Sequence, residues 1–567
     1  MSPLHQAKQQ ILQELKTAVG SGFSPTMDDL GVPPDSKMGD IAFGCFELAK
    51  SLKRHPAEIA TEIAAKIGPK ESVADVRSQG PYVNFVLSTQ FFSSVLERIK
   101  KDAEDFGREK IGEDKRIMVE FANLNTHKDV HIGHLRNLFL GQMLVNVLNA
   151  NGYDVIPVAY INDLGAHVAK SVWAIMKFHK GEEVSKEGRI DFLRKVYIEA
   201  TKALEENPSY KEEVAQVFRN LEEQHGEEVK VWKQTWQWSI DFLESVYAEL
   251  HLKLDKWYFE SELIGKTKKI IDDLITKGIV KESQGAWIVD LSDEKLGVNL
   301  LVKSDGTLLY NAKDLGLALK KEEDYHPTKS IYVVDARQSH ALAQLFATLE
   351  RMGFERELYH LAYDFVTLPS GVMASRTGNT ITYEEFRDRL MKQAVEATRA
   401  RHSDWKDKQV QDVSRAVASA AMRFGMLRQD VEKAIVFDFD EALSFDGFSG
   451  PYLLYTYARV ESLMEKAGKE KPIFDAKSLS LPVEHQLLFH LSLYPDILFE
   501  ISQHYRMSLL PRYLFELCQL FGTFYDEAPI LKASPAQRKA RLGLAKSVQE
   551  VLSNGLEMLG IEPVEQM

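Results

Sequence analysis

Two histidines separated by Ile132 and Gly133 are the first residues in this sequence whose types and spacing suggest chemistry. His131 and His134 are three apart, so at a helix start they share one face. A helix N-terminus adds partial positive charge and free N–H groups. Gly133 removes a side chain where a flat ring could lie against the backbone. Together these suit phosphate and adenine. Two imidazoles acting as N–H donors fit a pentacoordinate phosphorus, where charge accumulates on oxygen. Spacing alone leaves a second reading open, two surface or capping histidines. A metal pair fits less well, because no acidic or third His partner stands nearby at ligand spacing.

The elements around this pair have the order of a nucleotide-binding fold. Arg116–Phe121 reads as a strand running into an Asn-rich turn. A helix from His131 ends at Gly152, and Val155–Ile161 is the next strand. Strand, loop, helix and strand in that order begin a doubly wound parallel sheet. Residues 177–256 are charge-rich and helical, with Trp173, Trp232, Trp236 and Trp238 as anchors, and read as an insertion. Further strands are expected at Ser330–Asp335 and Leu358–Thr367, with almost only helical periodicity from about 384 onward. Ahead of all this, an amphipathic helix opens the chain. Pro25, Gly31, Pro33 and Pro34 mark a loop, Leu48–Ile67 has helical spacing, Tyr82–Leu87 alternates like a strand, and 91–106 reads as a linking helix.

At 567 residues, a prior of ~150 residues per domain gives three to four domains. Lys+Arg is 70 against Asp+Glu 83, a net charge of -13, with 44% hydrophobic and 27% charged residues. This globular mix excludes a wholly disordered or collagen-like chain. The charge is uneven: residues 1–115 and 447–567 each carry -2, and the middle carries -9. Two nearly neutral ends could each turn a basic face to a polyanion, although solvated helical surfaces explain the same counts. Two cysteines, Cys45 and Cys518, cannot build a disulfide framework or a multi-cysteine zinc site, and fit a reducing cytoplasm. No apolar run approaches the ~18 residues of a membrane span, and the N-terminus lacks the pattern of a signal peptide.

The string EFANLNTHKDVHIGHLRN (120–137) resembles the arginyl-tRNA synthetase form of the class I aminoacyl-tRNA synthetase motif. LVKSDGTLLYNAKDLG (301–316) is similar to that family's arginine-pocket segment. FDFDEALSFDGFSGPYLLYTYARVESLMEKAG (437–468) resembles the start of its anticodon-binding domain, and VLSNGLEMLGIEPVEQM (551–567) its C-terminus. MGDIAFGCFELAKSLKRHPAEIA (38–60) and GPYVNF (80–85) look like its additional N-terminal domain. The set stands in the family's order over most of the chain.

The resemblance implies an α/β fold of three parts. These are an α+β N-terminal domain over 1–112, a Rossmann catalytic domain over 113–400 with the insertion at about 177–256, and an all-α anticodon-binding domain over 401–567. It implies a ligase that activates L-arginine with ATP and passes it to the terminal ribose of tRNA(Arg). Mg2+ would bridge phosphates rather than sit in a protein cage, and a cytoplasmic monomer is expected. Asp314 would take the guanidinium bidentately, a fit lysine cannot copy. Tyr310, four residues earlier on a predicted helix, would face the same way, and Glu260 would be a second guanidinium carboxylate. Asn123, Asn125 and Gln338 match contacts to the α-amino group. His131, Gly133 and His134 would meet ATP. For tRNA, Asn84 and Phe85 are candidates in the N-terminal domain, and Tyr452, Tyr457 and Arg459 in the C-terminal one, where stacked bases and phosphate contacts are expected.

One departure stands out. Where the family's class carries Lys-Met-Ser-Lys-Ser, whose lysines hold pyrophosphate, this chain has Val372-Met373-Ala374-Ser375-Arg376. Both lysines are absent. Met373, Ser375 and Arg376 remain as ATP candidates, Arg376 the only cation among them. Losing a cation opposite a developing anion costs orders of magnitude in rate. Family members with an eroded loop commonly carry a lysine where Lys128 stands, three residues before His131, which makes Lys128 the expected replacement. Two alternatives compete: a synthetase-like protein that kept RNA binding and lost activation, and another His-x-Gly-His nucleotidyltransferase that adenylates a small acid.

Overall fold

Ile117, Met118, Val119 and Glu120 are consecutive and all buried, the pattern of a strand covered on both faces. In the computed structural model, which describes residues 2–20, 23–369, 371 and 381–567, this strand is the middle of a five-stranded sheet. The order across the sheet is Glu357–Tyr363, Lys329–Asp335, Arg116–Glu120, Asp154–Ile161 and Lys256–Phe259, every neighbouring pair parallel. The strand order reverses between Arg116–Glu120 and Lys329–Asp335, and ligands of open α/β sheets lie at the carboxyl ends of the strands at such a point.

The helix Ile132–Ala150 follows the central strand. It is apolar nearly all round, and a helix of that kind must be covered on every side. It packs on the sheet and against Asp407–Leu427, Pro482–His504 and Pro535–Leu559. Its Arg136 is fully buried and donates to four carbonyls, those of Asp364, Asp430, Val431 and Lys433.

Between Ile161 and Lys256 stand four helices, Ala166–Phe178, Arg189–Glu206, Tyr210–Glu222 and Glu228–Glu249, cored in part by Trp173 and Trp232. A second insertion was not anticipated: a three-stranded antiparallel sheet of Lys281–Ser283, Ala286–Leu291 and Gly297–Val302. Its strands are short and carry scattered polar residues, so they lack a clean alternation.

The N-terminal region has a four-stranded antiparallel sheet in the order Leu30–Gly31, Ile41–Gly44, Tyr82–Leu87 and Val73–Gln79. The helical spacing over Leu48–Ile67 resolves into two helices, Phe46–Leu52 and Pro56–Lys66. Pro56 offers no N–H and keeps His55 extended (φ -69°, ψ 128°), so the first helix ends before it. The strand expected over Leu358–Thr367 is also two. After Tyr363 the chain leaves the sheet, and Val366–Thr367 pairs in parallel with Ile435–Val436. The remainder is helical, chiefly Gly450–Ala467, Pro482–His504, Leu509–Glu527 and Pro535–Leu559. Gly450 allows a close crossing: a Cβ there would lie 2.2 Å from the carbonyl oxygen of Ala420. No helix among the described residues is long and apolar enough to cross a membrane.

Candidate active site

His131 is extended (φ -132°, ψ 166°) and caps the helix Ile132–Ala150. Its backbone N–H donates to His134 Nδ1 at 3.1 Å. That bond makes Nδ1 the acceptor, so a neutral His134 carries its proton on Nε2. The rings stack with centroids 3.6 Å apart, 21° from parallel. Loss of hydration pushes His131 down to about 4 and His134 well below the usual imidazole range, with the charge of nearby Lys128 adding to both effects. Both are therefore neutral near pH 7. The sequence expected space at Gly133 for a flat ring, and the ring found there is that of His131. A Cβ on Gly133 would lie 3.1 Å from its Cε1 and Nδ1.

The loop from strand to helix is held against its own preference. Ala122 and His127 both have positive φ, 60° and 58°, which costs a non-glycine residue about 1–2 kcal/mol. The insertion helix Glu228–Glu249 supplies restraints. Tyr247 Oη donates to Ala122 O at 2.8 Å, His127 N donates to Ser239 Oγ at 3.1 Å, and His127 Nε2 lies 2.8 Å from Thr235 Oγ1. Asn137 Oδ1 accepts Ala122 N at 2.8 Å. Lys128 projects from this loop. Among the described residues no carboxylate lies within ion-pair distance of it, and burial together with Lys170 lowers its pKa. His167, buried, sits in the same positive field.

Carboxylates gather near the ends of the neighbouring strands. Asp314 lies on the helix Tyr310–Tyr325. Glu260 follows directly on the strand Lys256–Phe259 and is fully buried. Burial pushes Asp314 up to about 7, reinforced by Glu120 and Glu260. Burial also pushes Glu260 up to about 7, against the pull of Lys313. Lys313 ion-pairs with Glu260 Oε1, while Glu260 Oε2 is buried without a partner among the described residues. Two turns further on, Lys321 pairs with Glu120. Asp163 accepts bonds from Ser261 N, Ser261 Oγ and Trp236 Nε1 at 2.7–3.0 Å.

The other arginine-pocket candidates are distributed around this cluster. Asn123 is engaged: its Nδ2 donates to Glu120 Oε1 at 2.7 Å and its Oδ1 accepts Tyr160 N at 2.9 Å. Asn125 is half-buried and bridges to Asn162. Gln338 is exposed on the short turn after Lys329–Asp335. Tyr310 is 59% exposed, at the start of its helix. Met373, Ser375 and Arg376 lie outside the described residues. Among the described residues no three His, Cys, Asp or Glu side chains converge where a metal could sit.

The expected tRNA contacts differ in exposure. Asn84 and Phe85 are both 0% exposed. Their strand is flanked on both sides and both of its faces are covered, so neither reaches a ligand at the surface; Tyr82 is the exposed residue there. Tyr452 packs on Phe515, centroids 5.4 Å apart, and Tyr457 is half-buried. Arg459 lies over the Tyr525 ring at 3.9 Å and pairs with Asp526 at 3.1 Å. Tyr455 is the exposed tyrosine of that helix, at 40%.

Sequence reasoning missed Glu120, Tyr160, Asp163, Lys313 and Lys321. A signal existed for Glu120, a charge closing the apolar run Ile117–Val119. The lysines had none, since helical spacing does not reveal which lysine turns inward.

A parallel sheet with a histidine-bearing helix at its switch point defines the catalytic domain of a class I aminoacyl-tRNA synthetase. The family model "tRNA synthetases class I (R), catalytic domain" matches residues 96–439, "DALR anticodon binding domain" matches 453–567, and "Arginyl tRNA synthetase N terminal domain" matches 5–87. The arginine–tRNA ligase of Bdellovibrio bacteriovorus is 37% identical over 98% of each chain, and that of Halothermothrix orenii 33% identical over 94% of this chain and 95% of its own. Thermus thermophilus arginyl-tRNA synthetase superposes with a TM-score of 0.83 at 26% identity, covering 99% of this chain and 100% of that one. The chain belongs to the arginyl-tRNA synthetase family.

Proposed function

We propose that the protein is an arginine–tRNA ligase that forms arginyl-adenylate and transfers it to tRNA(Arg). The observation that carries this reading is the carboxylate pair Asp314 and Glu260, the latter fully buried with one oxygen unpaired among the described residues, Glu260 following the end of one strand of the parallel sheet from whose central strand the loop to His131 and His134 also leads. Two carboxyls both pushed up to about 7 call for a cation, and a guanidinium supplies one with a planar fork.

In the first step the guanidinium sits on Asp314 and Glu260, with Tyr310 at the rim. Asn125, Gln338 and the remaining lone pair of Asn123 Oδ1 receive the α-amino group. A carboxylate oxygen of arginine attacks the α-phosphorus of ATP. The bond to the bridging oxygen of the β-phosphate breaks and pyrophosphate leaves. His134 donates through Nε2 and His131 through a ring N–H; as neutral groups they stabilise oxygen without a further charge in the site. Lys128, with no carboxylate among the described residues to neutralise it, holds the pyrophosphate in place of the absent loop lysines, with Arg376 assisting. Mg2+ would be carried on the phosphates, where it offsets their charge. In the second step a terminal ribose hydroxyl attacks the arginyl carbonyl carbon and AMP leaves, its phosphate taking the hydroxyl proton. The match of 453–567 to an anticodon-binding domain supports tRNA as the acceptor, with exposed Tyr455 as a stacking platform.

The test is arginine-dependent ATP–pyrophosphate exchange with and without cognate tRNA, on the wild type and Lys128→Ala. Exchange that needs tRNA and falls by about 10²–10³ in the variant is the expected result. Normal exchange in Lys128→Ala would remove that lysine's role. No exchange under any condition, with tRNA binding intact, would leave an RNA-binding protein instead.

A further inference from the structure

We infer that Lys313 is a specificity-determining positioning residue, whose buried ammonium occupies one oxygen of Glu260, reserves the other for a planar guanidinium, and turns away any substrate ending in an ammonium. The inference rests on the reading of arginine as substrate and adds a residue to it.

The geometry is specific. Lys313 is 3% exposed and Glu260 0%, and their ion pair joins Lys313 Nζ to Oε1 alone. Oε2 of the same carboxylate is buried with no donor. A buried carboxylate oxygen without a donor is costly, and such atoms persist where a ligand completes them. Lys313 immediately precedes Asp314 on the helix that begins at Tyr310, and its Nζ lies 5.8 Å from the Tyr310 ring centroid. One helical turn therefore presents the rim ring, the internal cation and the second carboxylate. Glu260 raises the pKa of Asp314, so a ligand cation placed between the two carboxylates relieves Asp314 while it completes Oε2.

The chemistry separates two kinds of cation. A guanidinium spreads its charge over three nitrogens and offers two N–H edges, so it can span Asp314 and Oε2 while presenting little charge density to Lys313. A lysine or ornithine side chain brings a compact ammonium. To reach Oε2 it must sit close to a second ammonium already bound to the same carboxylate, and in this dry site the repulsion is weakly screened. The pocket thus excludes the competitor by a charge already in place, an element built against the wrong ligand.

The experiment measures kcat and KM for arginine and for lysine by ATP–pyrophosphate exchange with cognate tRNA, on the full chain and on Lys313→Met and Lys313→Arg. In Lys313→Met the preference for arginine over lysine, as a ratio of kcat/KM values, is expected to narrow by about tenfold or more. The arginine defect should appear mainly in KM. Lys313→Arg, which keeps the internal cation, should retain most of the preference. Breaking one half of a buried pair can unfold a protein. If Lys313→Met does not fold, Lys313→Gln, which removes the ammonium but keeps a hydrogen-bond donor for Glu260 Oε1, is read in its place, with the same narrowing expected. An unchanged ratio in the folded variant overturns the inference, as does a loss of preference in Lys313→Arg equal to that in Lys313→Met. A wild type without arginine-dependent exchange would overturn the ligase reading instead, so the two failures are distinguishable.

Discussion

Asp314→Asn should make the empty protein more stable and the enzyme useless. The Asp314 carboxyl is raised from 3.8 to about 7 by burial and by Glu120 and Glu260. The folded state therefore holds a proton that the unfolded chain has released, and stability falls as pH rises between about 4 and 7. Above 7 the penalty is complete. At about 1.4 kcal/mol per pH unit the ceiling is about 4 kcal/mol. Asp314 keeps part of its surface open to the crevice, and a proton retained on Glu260 relieves it, so about 2 kcal/mol is the expected share. Asparagine has no charge to lose. Its gain over the wild type should be negligible near pH 4.5 and reach about 2 kcal/mol at pH 8. Arginine reverses the ranking: at 100 times its Kd it should stabilise the wild type by about 2.7 kcal/mol and the variant hardly at all. Thermal unfolding of the full chain at both pH values, with and without arginine, measures each arm. An Asp314→Asn protein less stable than wild type at pH 8, or protected equally by arginine, would refute the reasoning.

Three further outcomes follow from the same geometry. Because Asp314 and Glu260 must be ionised to hold a guanidinium, KM for arginine should be about tenfold higher at pH 6 than at pH 8, with kcat moving less; a flat KM would count against the pocket. Gly133→Ala puts a Cβ 3.1 Å from the His131 ring, so exchange activity should fall about tenfold while the melting temperature holds or rises, alanine being the better helix former by about 1 kcal/mol. Arg136→Met removes four hydrogen bonds from a buried guanidinium and leaves the carbonyls of Asp364 and Lys433 without that donor, while those of Asp430 and Val431 keep a backbone N–H; it should cost about 2–3 kcal/mol in chemical denaturation, and a loss under 1 kcal/mol would mean water takes over the acceptors.

The sequence was most legible where one periodicity ran long. The central strand, the helix after His131 and the strand at 82–87 declare themselves, because a buried element leaves a continuous apolar record. The split at Pro56 was also written in the chain, and helical spacing concealed it. Of the site, His131 and His134 were visible because histidines at a strand–helix junction are chemically conspicuous. Asp314, Tyr310 and Glu260 were not visible on their own: a carboxylate on a helix usually faces water, and only family resemblance singled these out. Lys313 and Lys321 lay beyond either route. Their inward turn depends on Glu260 and Glu120, which are 53 and 201 residues away in sequence, and no local pattern encodes such a meeting. The burial of Asn84 and Phe85 was hidden for the converse reason, since alternation identifies a strand but does not say how many of its faces are covered.

Arg136 acts as a joint. It stands two residues beyond His134 and grips the chain at 364 and again at 430–433, just ahead of both strands of the short parallel pairing of Val366–Thr367 with Ile435–Val436. Residues 364–367 lead toward the altered 371–378 stretch, and 430–436 lead toward the helices of the C-terminal part. One side chain thus fastens the histidine helix, the approach to that stretch and the lead-in to those helices to one another, as a rivet joins three members of a truss.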